Sequence, residues 1–119
     1  MSGFEVQDAA ERATVSVSHA TDAIVLTVAG EIDMTTAPAL ERAVREALAE
    51  RPGTLVIDLT SAQFFSSAGI AVLVLAHRHT EEVALRVVAT DRVVLRPLEL
   101  TGLANDLAIR PSVEAALAG

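Results

Sequence analysis

The chain has no cysteine, no tryptophan and no tyrosine, only three phenylalanines in 119 residues, and nine basic side chains against sixteen acidic ones. Each shortage removes a class of function. Without cysteine there is no disulfide and no thiolate metal ligand. With Phe as the sole aromatic there is no stacking platform for bases or sugars, and the core must be built mainly from Ala, Val, Leu and Ile. A formal charge of −7 repels phosphate backbones, so direct binding to nucleic acid is not expected. The longest apolar run, Ala68 to Ala76, falls far short of the ~20 residues of a spanning helix, and no membrane insertion is expected. No charged-then-apolar leader opens the chain, which makes the cytoplasm the expected location.

Catalytic and cofactor signatures are missing too. There is no Walker loop, no G-x-G-x-x-G and no acidic cluster spaced for calcium. His77 and His79 are two apart and would point about 160° away from each other on a helix, a poor arrangement for a shared metal. His19 lies in a polar turn with Asp22 and reads as an ordinary surface residue. Ser67 follows a strand and precedes a helix, as the nucleophile of an α/β-hydrolase does. The G-x-S-x-G elbow fails, however, because Phe65 occupies the first glycine position and only Gly69 matches. No cofactor, no metal and no catalysis are expected, and a small serine hydrolase is the least favoured of the readings.

What is present is a hydrophobic content of 51% and a mean hydropathy of +0.44, enough for one core in one domain. Residues 1–12 read as a flexible arm and 13–119 as the folded domain. Thr14 to Ser18 alternates as a half-exposed edge strand, and His19 to Asp22 makes a turn. Ala23 to Ala29 is apolar on both sides, as a strand covered on both faces would be, and Gly30 ends it. Thr35 or Thr36 caps a helix with Pro38 just inside and an apolar stripe of Leu40, Ala43, Val44, Ala47 and Leu48, stopped by Arg51 to Gly53. Thr54 to Asp58 is a short buried strand reached by a right-handed crossover.

A further strand spans Ala84 to Ala89. Thr90 or Asp91 then caps a helix with Val94, Leu98 and Thr101 inward, which Pro97 should kink or shorten before Gly102 stops it. Leu107 to Ile109 forms a last strand, and Ser112 caps a small helix carrying Val113, Ala116 and Leu117. The fold class is α/β, a mixed and mostly parallel sheet of four to five strands with an N-terminal edge hairpin and about four helices.

Gln63 to His79, QFFSSAGIAVLVLAHRH, joins a strand and turn to an apolar helical run. Ser66 and Ser67 stand at the helix start, where free N–H groups and the positive dipole end favour negative charge. One of them can equally serve only as a cap. Ile70, Leu73, Val74 and His77 mark the sheet-facing side, which leaves Val72 and Leu75 on an apolar outer face that suits a partner.

Four local sequences in order resemble the STAS domain of bacterial anti-sigma factor antagonists, over roughly Thr14 to Leu117. GEID at Gly30 to Asp33 is similar to that family's G-E-[LI]-D turn, and IDLT at Ile57 to Thr60 to its strand. FFSSAGI at Phe64 to Ile70 is similar to its F-x-D-S-[ST]-G-L phosphorylation loop, and TGL at Thr101 to Leu103 to its S-G-L. The resemblance implies a stress-response regulator of transcription, a phosphoprotein acting by partner switching. Unphosphorylated, it would bind an anti-sigma factor that is an ATP-dependent serine kinase and so free a sigma factor. Phosphorylation at Ser67 would end that binding. Ser66 stands where the family usually has Asp, and Ala68 where it has Ser or Thr, which makes Ser66 a second candidate acceptor. The implied contact surface is Gly30, Glu31, Asp33, Ser66, Ser67, Val72 and Leu75. A homodimer is left open, and so is the alternative of an unphosphorylated STAS scaffold in a larger assembly.

Overall fold

The structure is a computed structural model that describes residues 4–7, 12–79 and 81–119. Six strands lie side by side in chain order. The strands β2 (Ala13–Ala20) and β3 (Ala23–Ile32) form the antiparallel hairpin, closed by a tight turn in which Asp22 takes a positive φ of 56°. From β3 onward the sheet is parallel, through β4 (Thr54–Phe65), β5 (Ala84–Val88) and the two-residue β6 (Ile109–Arg110). The helices α1 (Ala37–Ala49), α2 (Ser67–Arg78) and α3 (Arg92–Leu100) follow β3, β4 and β5, and α4 (Val113–Ala118) ends the chain.

The expected hairpin, parallel sheet and four helices are all present. One strand lies outside the expected set: β1 (Phe4–Gln7), within the segment read as an arm, pairs antiparallel with β2. Thr14 to Ser18 therefore lies one strand in from the edge. The hairpin turn is also shorter than expected, because His19 and Ala20 remain in β2 opposite Ile24 and Ala23.

The two faces of the sheet are covered unequally. Alternate residues such as Ile24, Leu26, Leu55, Ile57 and Val87 point into one large core with α1, α2 and α3. The opposite face of β3, β4 and β5 contributes Val25, Val56 and Val88 to a small cluster closed by Ala116 of α4. Ala23 to Ala29 reads as apolar on both sides for this reason, although the second cover is only the short α4.

The strand expected to stop at Asp58 continues to Phe65. Its pairing with β3 slips twice, between Thr27 and Ala29 and between Gly30 and Glu31, where β4 carries an extra residue. Bulges of this kind break alternation and bend the strand. Leu59, Ala62 and Phe65 are therefore the buried residues, three apart rather than two. Asp58 braces the first irregularity by accepting from the Thr60 N–H at 3.0 Å and the Thr60 hydroxyl at 2.8 Å.

Other corrections are local. The third helix runs through Pro97 to Leu100 rather than being shortened, capped by the Asp91 carboxylate on the Val93 N–H at 2.9 Å. Gly102, with φ 81°, supplies the left-handed stop. Thr101 is exposed rather than inward, and the last strand falls at Ile109–Arg110. On α2 the buried residues are Gly69, Val72, Leu73 and Ala76, while His77 is exposed. Val72, expected on the outer face, is 3% exposed because α1 packs beside α2 as well as the sheet beneath it.

Candidate functional site

Beyond their second irregularity, β3 and β4 end together, with Glu31 opposite Phe64 and Ile32 opposite Phe65. The Ser66 N–H then donates to the Ile32 carbonyl at 2.9 Å. That register brings the acidic turn and the serine pair onto neighbouring strand ends, although more than thirty residues separate them in sequence.

The turn is held from inside by a threonine. Thr36 is 1% exposed, the one buried polar side chain of the described core. Its hydroxyl donates to the Glu31 carbonyl at 2.6 Å and accepts from the Asp33 N–H at 2.9 Å. Thr36 thus occupies the N-cap position of α1, as expected, but its side chain makes no capping bond. The Asp33 carboxylate accepts from the N–H groups of Thr35 at 2.9 Å and Thr36 at 3.1 Å, and its carbonyl accepts from the Ala37 N–H at 2.8 Å. Asp33 thus has a bonding role in the turn, as N-terminal Asp residues commonly do.

Arg12 closes the turn from outside. Its guanidinium pairs with Asp33 and reaches Glu31 at 3.5 Å, while its carbonyl accepts from the Glu31 N–H at 2.9 Å. The Arg12 hydrogen bond, assisted by the N–H groups of Thr36 and Thr35, lowers the Asp33 pKa from its ordinary 3.8 to about 2. Gly30 is required where the chain passes Arg12: its φ is 93°, and a Cβ there would run into the Arg12 carbonyl oxygen.

The two serines differ in what their side chains do. Ser66 is the N-cap, and its hydroxyl accepts from the Ala68 N–H at 3.2 Å. Ser67 is exposed at the first position of the helix, and among the described residues no hydrogen bond involves its hydroxyl. Gly69 lets this helix start lie against the strand ends, since a Cβ there would sit 2.7 Å from the Phe65 ring and 3.0 Å from the Ile32 Cγ2.

A groove of about 620 Å³ runs between α1 and α2, its apolar lining of Ala37, Ala68, Val72 and Leu75 edged by the charged Glu41, Arg45 and Arg78. Val72 and Leu75 therefore both line one surface. Met34, 82% exposed, stands at the mouth of the groove, and Phe64, 52% exposed, at the end of β4. Neither was singled out from sequence, since a single exposed apolar residue carries no periodic signal. Arg12 was missed because its link to Asp33 spans 21 residues. Among the described residues no cluster of three or more His, Asp or Glu could hold a metal. His19 meets Glu50 at 3.2 Å, and the His79 Nδ1 lies 3.0 Å from the Leu75 carbonyl at the end of α2. No described helix is long and apolar enough to cross a membrane.

A model of the STAS domain matches residues 14–116. The chain belongs to the STAS domain family. It is 37% identical over 107 residues to the anti-sigma-F factor antagonist RsfB of Mycobacterium tuberculosis, covering 89% of this chain and 88% of that protein. An anti-sigma-B factor antagonist of Listeria monocytogenes is 36% identical over 95 residues, covering 76% of this chain and 81% of its own. The crystal structure of an anti-sigma factor antagonist from Mycobacterium paratuberculosis superposes with a TM-score of 0.85 at 37% identity, covering 89% of this chain and 92% of that one. The expected family membership and the α/β STAS architecture are thereby established.

Proposed function

We propose that this STAS domain is an anti-sigma factor antagonist that binds an anti-sigma factor serine kinase while unphosphorylated, frees a sigma factor, and is switched off by phosphorylation at Ser67. It acts by binding and catalyses nothing itself. The observation that carries this reading is the division of labour between the serines: Ser66 spends its hydroxyl on the helix cap, and Ser67 presents an exposed hydroxyl at the same helix start. The relatives' names as anti-sigma factor antagonists support the class of partner.

The contact surface is the Gly30, Glu31 and Asp33 turn, Ser66 and Ser67, and the groove bearing Val72 and Leu75, with Met34 and Phe64 as exposed apolar neighbours. A phosphate adds about −1.5 to −2 charge. The α2 N-terminus tolerates that charge, so the fold survives, whereas a partner packed closely over Ser67 does not. Location in the cytoplasm, where sigma factors act, follows from the same reading.

Incubating the protein with purified anti-sigma factor kinases and ATP, then measuring intact mass and mapping the modified residue, tests it. One added phosphate on Ser67 is expected, with Ser67→Glu weakening the complex and Ser67→Ala retaining it. Stable binding by Ser67→Glu at wild-type affinity would overturn the switch. A complex that never acquires phosphate would favour the scaffold reading.

A further inference from the structure

Two carboxylates, Glu31 and Asp33, lie in the turn on the strand end next to Ser67, whose hydroxyl the proposed switch presents to ATP. Ile32 and Phe65 are paired across neighbouring strands, which lie ~4.8 Å apart, and the Ser66 N–H bonds back to the Ile32 carbonyl. Glu31 and Asp33 flank Ile32, and Ser67 is the residue after Ser66. The acidic turn and the acceptor thus sit on adjoining strand ends, and in physiological salt charges act on one another over a Debye length of ~8 to 10 Å. An incoming γ-phosphate would be repelled by both carboxylates in a chain already at −7.

The structure supplies one cation for that turn. Arg12 pairs with Asp33 and Glu31 together and is fixed through its own backbone, which accepts from Glu31 and abuts Gly30. Among the described residues no other Arg or His forms an ion pair with either carboxylate. We propose that Arg12 is a positioning residue for phosphorylation at Ser67, offsetting one of the two negative charges of Glu31 and Asp33 so that a nucleotide triphosphate can approach the hydroxyl. This rests on the phosphoacceptor reading of Ser67. In the step itself the Ser67 oxygen bonds to the γ-phosphorus of ATP, the bond to the β,γ-bridging oxygen breaks, ADP departs, and the hydroxyl proton passes to a base of the kinase or to water. Arg12 takes no part in bond making. Its role is to set the local charge.

The test is steady-state phosphorylation of the full chain by the kinase that modifies the wild type. Arg12→Gln should lower kcat/KM about three- to tenfold at low salt, mainly through KM for the antagonist, because one exposed charge at this range acts on approach. Arg12→Lys should stay near wild type. Raising the salt should close the gap. A loss that salt does not restore would mean that Arg12 only braces the turn, and an unchanged rate in Arg12→Gln would mean that it does not act on the site at all. Either result overturns the proposal. A wild type that no kinase phosphorylates defeats the phosphoacceptor reading itself, which is a separate outcome from a phosphorylated wild type that ignores Arg12.

Discussion

At the scale of single residues, the turn after β3 is held by interactions of different physical kinds. Thr36 contributes buried hydrogen bonds, and Asp33 contributes an ion pair with Arg12 plus a cap. The carboxylate pKa is lowered on folding, so the deprotonated form favours the folded state. That contribution is complete above the unfolded value near 3.8 and is lost as the pH falls through about 2. Asp33→Asn keeps an acceptor for the Thr35 and Thr36 N–H groups but removes the charge. It should therefore be less stable than wild type at neutral pH, with the difference shrinking between about pH 4 and pH 2, as urea midpoints across that range would record. Gly69 gives a second residue-scale test. Alanine gains roughly 1 kcal/mol of helix propensity, yet its Cβ would press on the buried Phe65 ring and Ile32, an overlap costing about 1–3 kcal/mol. Gly69→Ala should be destabilised by about 1 kcal/mol net, read as a lower urea midpoint at unchanged m.

At the scale of elements, α2 separates a capping residue from an exposed one within a single turn. Its cap resides in Ser66 and its exposed hydroxyl in Ser67. Ser66→Ala should lower stability by about 1 kcal/mol, whereas Ser67→Ala should shift it by less than about 0.5 kcal/mol in the same denaturation assay. The apolar character of α2 is explained by its two neighbours: one side packs on the sheet, another on α1, and part of the rest lines the groove. In α3, Pro97 is the sixth helical residue and has no N–H to give the Val93 carbonyl. The helix continues because Val94 and Leu98 are fully buried against the sheet on either side of it. Pro97→Ala should raise stability by about 1–2 kcal/mol, the restored bond outweighing the looser unfolded chain, visible as a higher Tm.

At the scale of the whole molecule, the sheet divides the protein into a large core under three helices and a small one under α4. Ile57, fully buried in the middle of the large core, is where a cavity has fewest ways to collapse. Ile57→Ala should cost on the order of 3–4 kcal/mol by chemical denaturation. The candidate site lies at the C-terminal ends of the central parallel strands β3 and β4, each of which delivers a turn and a helix start to the same edge. A phosphate at Ser67, if the proposed switch operates, would change the charge of that edge without disturbing either core.

Periodicity and caps in the sequence determined which segments are helices, the parallel crossovers, the inward stripe of α1 and the identity of the serine pair, because each depends on residues a few positions apart. Four short motifs in order were enough to indicate the family. Tertiary structure decided the rest. The bulges of β4 hid seven strand residues, Leu59 to Phe65, because an inserted residue cancels the two-residue alternation on which the reading depends. Val72 turned inward because α1, not the sheet alone, covers α2. Thr36 is the N-cap of α1, yet Asp33 supplies the side-chain acceptor there because the Thr36 hydroxyl is drawn inside to bond Glu31. The ion pair from Arg12 to Asp33 joins residues that only the β2–β3 hairpin brings together.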